Sequence, residues 1–195
     1  MQIIDIKKSL SSANKYIYLD RNDYLREKTS NPLRLKQVIA DAEFLLKTTI
    51  EESDKYFLYG TVGNLYRICE EPQKALNYLK FCLCLALEQG NTTRETVTLI
   101  RFGEALKYDE KHDKALELFE KSFKNCKDNM LDTYLDFALQ HKGKCLMEMG
   151  RLDEAEIDFI KALKLRQFKG DITLIDSTEN ALELVKRLKK NTRIF

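Results

Sequence analysis

Glycine and alanine recur in this sequence with a fixed period. Three glycines lie forty residues apart, and each is followed by an alanine twelve residues later: Gly63 and Ala75, Gly103 and Ala115, Gly143 and Ala155. Repeats of this length are typical of solenoids, in which similar units stack side by side and present an extended surface to other macromolecules. The period therefore predicts three copies of one structural unit and a binding role.

The residues around these glycines predict helices. In the middle copy Leu99, Phe102 and Leu106 flank Gly103 at three- and four-residue spacing, which places the large side chains on one face of an α-helix. With only 7 glycines and 2 prolines, the chain is too poor in turn-forming residues for an all-β fold. Each copy is therefore predicted to be a pair of antiparallel helices, which approach closely where the Gly of one helix faces the Ala of the other.

The pattern of a large apolar residue, Gly, an aromatic or leucine, Ala and Phe resembles the tetratricopeptide repeat. The chain departs from the family in having no tryptophan, in placing Lys142 at an apolar position, and in its period of forty residues, longer than the roughly 34 residues usual in the family. The resemblance implies an all-α fold, a right-handed α-α superhelix (solenoid) of antiparallel helical hairpins.

The repeats imply a single tetratricopeptide-like domain over residues 1–195. Asn31-Pro32 is typical of a helix start, and residues 2–20 are expected to supply the helix that packs against the one beginning there. The predicted units are a degenerate N-terminal hairpin (1–51), three repeats (52–91, 92–131 and 132–170) and a C-terminal capping helix (171–190).

Composition narrows the class of partner. The net charge is +2, from 33 Lys plus Arg against 31 Asp plus Glu, which argues against a nucleic-acid binder. The basic run from Lys186 to Arg193 is interpreted as a solvated helix end, and an anionic partner is the alternative. No apolar stretch could span a membrane or act as a secretory signal, and the five cysteines lack disulfide-framework spacing. We therefore expect a cytoplasmic protein that binds neither membrane nor nucleic acid.

The sequence contains no arrangement typical of an active site. The chain has two histidines, and neither His112 nor His141 has an acid and a nucleophile at matching positions. Cys82 and Cys84 are two residues apart and would point to different faces of a helix, so they cannot share a metal ion. The sequence predicts a protein that is not an enzyme and carries no cofactor or metal.

The resemblance implies that the first helix of each pair lines a concave, open wall. Phe57, Val97 and Phe137 recur every forty residues on these helices and form an apolar row that belongs either to the core or to the wall. The wall would be mildly cationic because of Arg67, Arg101, Lys107 and Lys144. The positions expected to bind a partner are Phe57, Thr61, Asn64, Arg67, Val97, Arg101, Glu104, Tyr108, Phe137, Gln140, His141 and Lys144.

The leading functional hypothesis is a non-catalytic adaptor that holds a protein or peptide segment, of acidic character, in this groove. The carboxylate clamp of heat-shock-chaperone adaptors is excluded, because only Asn64 agrees among the five matching positions. Free-standing proteins of this type also include immunity proteins, so a second hypothesis is an inhibitor that binds and blocks a partnered toxin. A third is a scaffold in a larger assembly.

Overall fold

The computed structural model describes residues 1–192, so Arg193 of the basic run lies outside the described residues. The chain begins with α1, a single 3-10 turn and a two-stranded antiparallel β-hairpin, and a further helix, α2, follows. The bounds are α1 (Ile3–Ala13), the 3-10 turn (Asn14–Tyr16), β1 (Ile17–Asp20), β2 (Arg26–Thr29) and α2 (Pro32–Leu46). Asn31 caps α2 by accepting a hydrogen bond from the backbone N–H of Arg34.

Seven helices follow within the described chain, and consecutive ones pack as neighbours. They are α3 (Glu52–Ile68), α4 (Pro72–Glu88), α5 (Thr92–Tyr108), α6 (His112–Asp128), α7 (Asp132–Glu148), α8 (Leu152–Lys169) and α9 (Ile172–Thr192). The pairs α3–α4, α5–α6 and α7–α8 correspond to the three sequence copies. The predicted all-α solenoid of helical hairpins is confirmed.

Left-handed backbone recurs at the turns between these helices. Positive φ angles occur every twenty residues, at Glu70 (60°), Gly90 (58°), Glu110 (57°), Met130 (53°), Gly150 (75°) and Gly170 (74°). Such angles reverse the chain sharply at a helix C-terminus and favour glycine. Three of the six positions carry a larger residue, which explains why the turns were not all visible as glycines in the sequence.

The repeated glycines allow close packing, but their main neighbour differs from the predicted alanine. A Cβ built on Gly103 would lie 2.6 Å from the ring of Phe119, and one on Gly143 would lie 2.8 Å from the ring of Phe159. At Gly63 the neighbour is Leu79. The glycine therefore makes room for the large residue sixteen positions later, and the buried alanine lies one helical turn before that residue.

The expectation that residues 2–20 form a helix is wrong beyond Ala13. The structure continues into the β-hairpin, defined here as residues 17–29, in which Ile17 is paired with Thr29 and Asp20 with Arg26. Ile17 and Tyr18 favour a strand, because β-branched and aromatic side chains fit a pleated surface. A strand of four residues is too short for its pattern to be distinguished in the sequence from a continuation of the preceding helix.

No helix among residues 1–192 is long and apolar enough to cross a membrane. Cys82, Cys126 and Cys145 are buried free thiols, and Cys84 is exposed.

Candidate partner-binding wall

Helices α3, α5 and α7 lie side by side and form the inner wall of the solenoid. The β-hairpin lies across the C-terminal ends of these three helices and reaches α9. The expectation of an open wall is therefore wrong for this half, because the segment that covers it comes from the chain itself.

Arg26 of the β-hairpin contacts the wall through Glu148 on α7. Its Nη2 donates to Glu148 Oε2 at 2.6 Å and to the backbone carbonyl of Lys107 at 3.2 Å. The Lys107 ammonium lies 3.0 Å from Glu148 Oε1 and 3.2 Å from Glu104 Oε1, with its side chain fully buried. Burial alone would raise the pKa values of Glu104 and Glu148. Lys107 acts together with Arg67 at Glu104 and with Arg26 at Glu148, and these combined charges hold both pKa values below their ordinary range.

Glu27, the next residue of β2, pairs with Arg67 on α3. The carboxylate accepts a short hydrogen bond from Arg67 Nη2, and Asn64 Oδ1 accepts a second one at 2.7 Å. Tyr108 donates its hydroxyl hydrogen to the backbone carbonyl of Glu27 at 3.1 Å. Burial tends to raise the pKa of Glu27, but the charge and hydrogen bond of Arg67, together with the charge of Lys144, lower it below its ordinary value. Arg67 is 3% exposed, so its charge is neutralised inside the protein.

Leu25 anchors the tip of the β-hairpin. Its side chain is 2% exposed and packs with Leu146 and Met147 of α7 and with Val185 of α9. The ammonium of Lys144 donates to the backbone carbonyl of Leu25 at 3.0 Å. Burial, together with repulsion from nearby cations, lowers the pKa of Lys144 to about 8.

A cavity of about 320 Å³ remains on the uncovered half of the wall. Its lining combines apolar with polar and charged side chains, and the β-hairpin contributes Glu27. The lining residues are Glu27, Asn64, Arg67, Val97, Ile100, Arg101, Glu104, Tyr134, Phe137 and His141. His141 Nδ1 lies 3.0 Å from Glu104 Oε1.

Arg101 differs from the other cations of the wall. Within the described residues its guanidinium has neither a carboxylate at ion-pair distance nor a hydrogen bond, whereas Arg67 and Lys107 are paired with carboxylates and Lys144 donates to a backbone carbonyl. A Cβ on Gly60 would lie 2.6 Å from Arg101 Nη1. The absence of a side chain at Gly60 therefore lets the guanidinium lie against α3, at the edge of the cavity.

The structure divides the twelve sequence-predicted positions into three groups. Seven line the cavity: Asn64, Arg67, Val97, Arg101, Glu104, Phe137 and His141. Tyr108 and Lys144 bind the β-hairpin instead. Thr61 and Gln140 are buried, 7% and 3% exposed, and Phe57 packs against the N-terminal core beneath the ammonium of Lys7. Of the three apolar residues forty positions apart, Val97 and Phe137 thus line the cavity and Phe57 packs against the core.

Sequence reasoning missed Glu27 and Tyr134 as lining residues. Tyr134 lies on a predicted first helix, nine residues before Gly143, so a wider window around each glycine would have included it. Glu27 had no such signal, because it lies outside the repeats. Among residues 1–192, no three His, Cys, Asp or Glu side chains converge on a possible metal site.

Comparison with known proteins shows what the third repeat is similar to. The family model described as Tetratricopeptide repeat matches residues 138–168, which cover most of α7 and α8. This segment is similar to a tetratricopeptide repeat, and the chain has the fold of that family. Comparison with curated protein sequences gives no match. Tetratricopeptide repeats commonly mediate interactions between proteins.

Solved structures show the same fold over the whole chain. RapI in its apo form is similar with a TM-score of 0.71 and 16% identity, over 100% of this chain and 66% of RapI. A Rap protein complexed with Competence and Sporulation Factor is similar with a TM-score of 0.76 and 15% identity, over 96% of this chain and 49% of that protein. The TPR domain of FLU from Arabidopsis is similar with a TM-score of 0.55 and 20% identity, over 62% of this chain and 100% of that domain. The chain thus spans less than two thirds of either Rap protein.

Proposed function

We propose that the chain is a non-catalytic protein- or peptide-binding module and that the uncovered cavity receives an acidic group of the partner. The observation that carries this proposal is the guanidinium of Arg101, which has no carboxylate partner among the described residues and lies at the edge of the cavity. A carboxylate of a partner would supply the charge-assisted hydrogen bonds that the chain itself does not provide there.

The apolar lining complements this charge. Val97, Ile100 and Phe137 would bury an apolar side chain next to the carboxylate, and Tyr134 adds an aromatic surface with a hydroxyl group. Binding sites of this kind use apolar contacts for affinity and a few polar groups for orientation. One structural neighbour, the Rap protein, is complexed with the Competence and Sporulation Factor, which supports a ligand-binding role for a solenoid of this shape.

A peptide array tests the proposal directly. Wild-type protein is applied to an array of randomised peptides, and we expect enrichment of peptides that combine an acidic residue or a free C-terminal carboxylate with an apolar residue. Arg101→Glu should reduce binding to the selected peptides more than tenfold. Lys114→Glu, an exposed change of equal charge on α6, should leave binding unchanged. Equal loss in both variants, or no loss in Arg101→Glu, would contradict the proposal.

The inhibitor and scaffold hypotheses predict a different outcome. A folded partner would bind through a larger surface than this cavity, because stable interfaces between folded proteins bury on the order of 800 Å² per partner. Its affinity would then depend on residues outside the cavity and would persist in Arg101→Glu. If the Arg101→Glu variant still protects cells from a co-expressed toxin, this would favour the inhibitor hypothesis.

A further inference from the structure

Three consecutive residues of the β-hairpin make the principal contacts with the inner wall. Leu25 fills an apolar site, Arg26 binds Glu148, and Glu27 binds Arg67. Each side chain therefore has a complementary group on the wall: an apolar pocket, then an anion, then a cation.

The wall also binds the main chain of this segment. Lys144 donates to the carbonyl of Leu25 at 3.0 Å, and the hydroxyl of Tyr108 donates to the carbonyl of Glu27 at 3.1 Å. Contacts to alternate carbonyls, combined with side-chain pockets, are how a receptor holds an extended peptide. The covered half of the wall thus has the properties of a peptide-binding site that is occupied by residues 25–27.

The β-hairpin is attached to the rest of the protein as a separate arm. Its base is closed by its own hydrogen bonds, since the N–H and hydroxyl of Ser30 both donate to the carbonyl of Tyr16. Helices α1 and α2 pack with α3 in a core that includes Ile17, at the base of the β-hairpin, but not Leu25 at its tip. Two strands of four residues are marginally stable alone, so the position of the tip depends on its contacts with the wall.

We propose that the β-hairpin is a tethered ligand of the inner wall, and that a partner segment with a large apolar residue followed by Arg and Glu binds the same site by displacing it. Displacement would uncover Lys107 and Lys144, which are 0% and 6% exposed, and would join the covered half of the wall to the cavity. Tethering gives the β-hairpin an effective concentration on the order of millimolar. A free segment therefore binds only when the contacts between the tethered β-hairpin and the wall are weakened.

The test uses full-length protein and a fluorescent peptide of residues 17–29. Binding is followed by fluorescence anisotropy, and exposure of the wall by amine labelling of Lys107 and Lys144 with mass spectrometry. The variant Arg26→Ala/Glu27→Ala removes both ion pairs of the tethered segment. The matched control is Tyr18→Ser, which changes a residue of the same β-hairpin that is 47% exposed. Lys114, which is exposed, is the labelling reference in every sample.

We expect the peptide to bind the double variant at least tenfold more tightly than it binds wild type or Tyr18→Ser. Lys107 and Lys144 should be labelled in the double variant, and the bound peptide should protect them again. A peptide in which Arg26 and Glu27 are exchanged should not bind. If the double variant loses its helical circular dichroism, Arg26→Gln replaces it under the same criteria.

Two results would overturn the proposal. One is a variant whose lysines become labelled but which does not bind the peptide, because the wall would then lack affinity for the free segment. The other is a variant whose lysines remain unlabelled and which binds no peptide, because the named ion pairs would then not hold the segment. Neither result depends on Arg101 or on an external partner, so the failure of this proposal is distinguishable from failure of the proposed function.

Discussion

The guanidinium of Arg67 and the carboxylate of Glu27 join the first repeat to the β-hairpin across forty residues of sequence. Arg67 is 3% exposed, and its second carboxylate neighbour, Glu104, lies 3.7 Å from Nη1. Glu27 therefore supplies the closer of the two negative charges that make the burial of this arginine tolerable. The pair lies at the boundary between the covered half of the wall and the cavity.

Glu27→Gln should lower the free energy of unfolding by about 1–3 kcal/mol, because it leaves a buried guanidinium short of a charged acceptor. A double-mutant cycle with Arg67→Met, measured by urea denaturation, should give a coupling of about 1 kcal/mol or more. Glu117→Gln, on the exposed face of α6, should change stability by less than about 0.5 kcal/mol. Additive effects of the two substitutions would mean that the pair contributes no coupling.

Lys144 should make stability depend on pH in the alkaline range. Its pKa is about 8 in the folded protein, below the unfolded lysine value of about 10.4. Between these values the unfolded chain binds more protons, so the free energy of unfolding contributed by this group rises with pH. Between pH 8 and 9.5, the free energy of unfolding of wild type should therefore rise relative to that of Lys144→Met by up to about 1.4 kcal/mol per pH unit. Lys114→Met should follow wild type, and parallel curves for all three proteins would refute the assignment.

Arg166 should be a strong determinant of stability. It is 2% exposed, and it donates to Asp136 at 2.8 Å and to Thr178 at 2.8 Å, which connects α7, α8 and α9. Arg166→Met should cost about 3 kcal/mol or more in denaturant unfolding, because Asp136 is fully buried and, within residues 1–192, keeps only Lys169 as an ionic partner. Adding Asp136→Leu should recover most of that loss. A double variant less stable than the single one would contradict this explanation.

Gly103→Ala should destabilise the middle repeat by about 1–3 kcal/mol through overpacking against Phe119. The same substitution should cost less in a Phe119→Ala background, since the ring that the new methyl group would meet is absent. Thermal and urea unfolding of the four proteins measure the difference. Equal costs in the two backgrounds would show that the ring is not the limiting contact.

Met130→Gly should stabilise the protein by about 0.5–1 kcal/mol. Met130 has a φ angle of 53° and is 85% exposed, so its side chain adds backbone strain and few contacts. Gly170→Ala, at a φ angle of 74°, is the reciprocal change and should destabilise the protein by a similar amount. The two melting temperatures, measured against wild type, should therefore move in opposite directions.

The amino-acid sequence alone determined the helices and their stacking. The spacing of Gly63, Gly103 and Gly143 and of the apolar residues around them is a local signal, since residues three or four apart share a helix face. The same reasoning placed seven of twelve predicted positions at the cavity. It did so because equivalent positions in a repeat face the same side.

Only the tertiary structure decided that part of the wall is covered. Arg26 and Glu148 are separated by 122 residues, and Lys144 and Leu25 by 119. No periodicity relates residues 17–29 to the repeats, so the sequence pattern gave no sign that this segment returns to the wall. The charges of Arg67 and Lys144 were assigned to a partner for the same reason. Their neutralisation depends on carboxylates and carbonyl groups that only folding brings into contact.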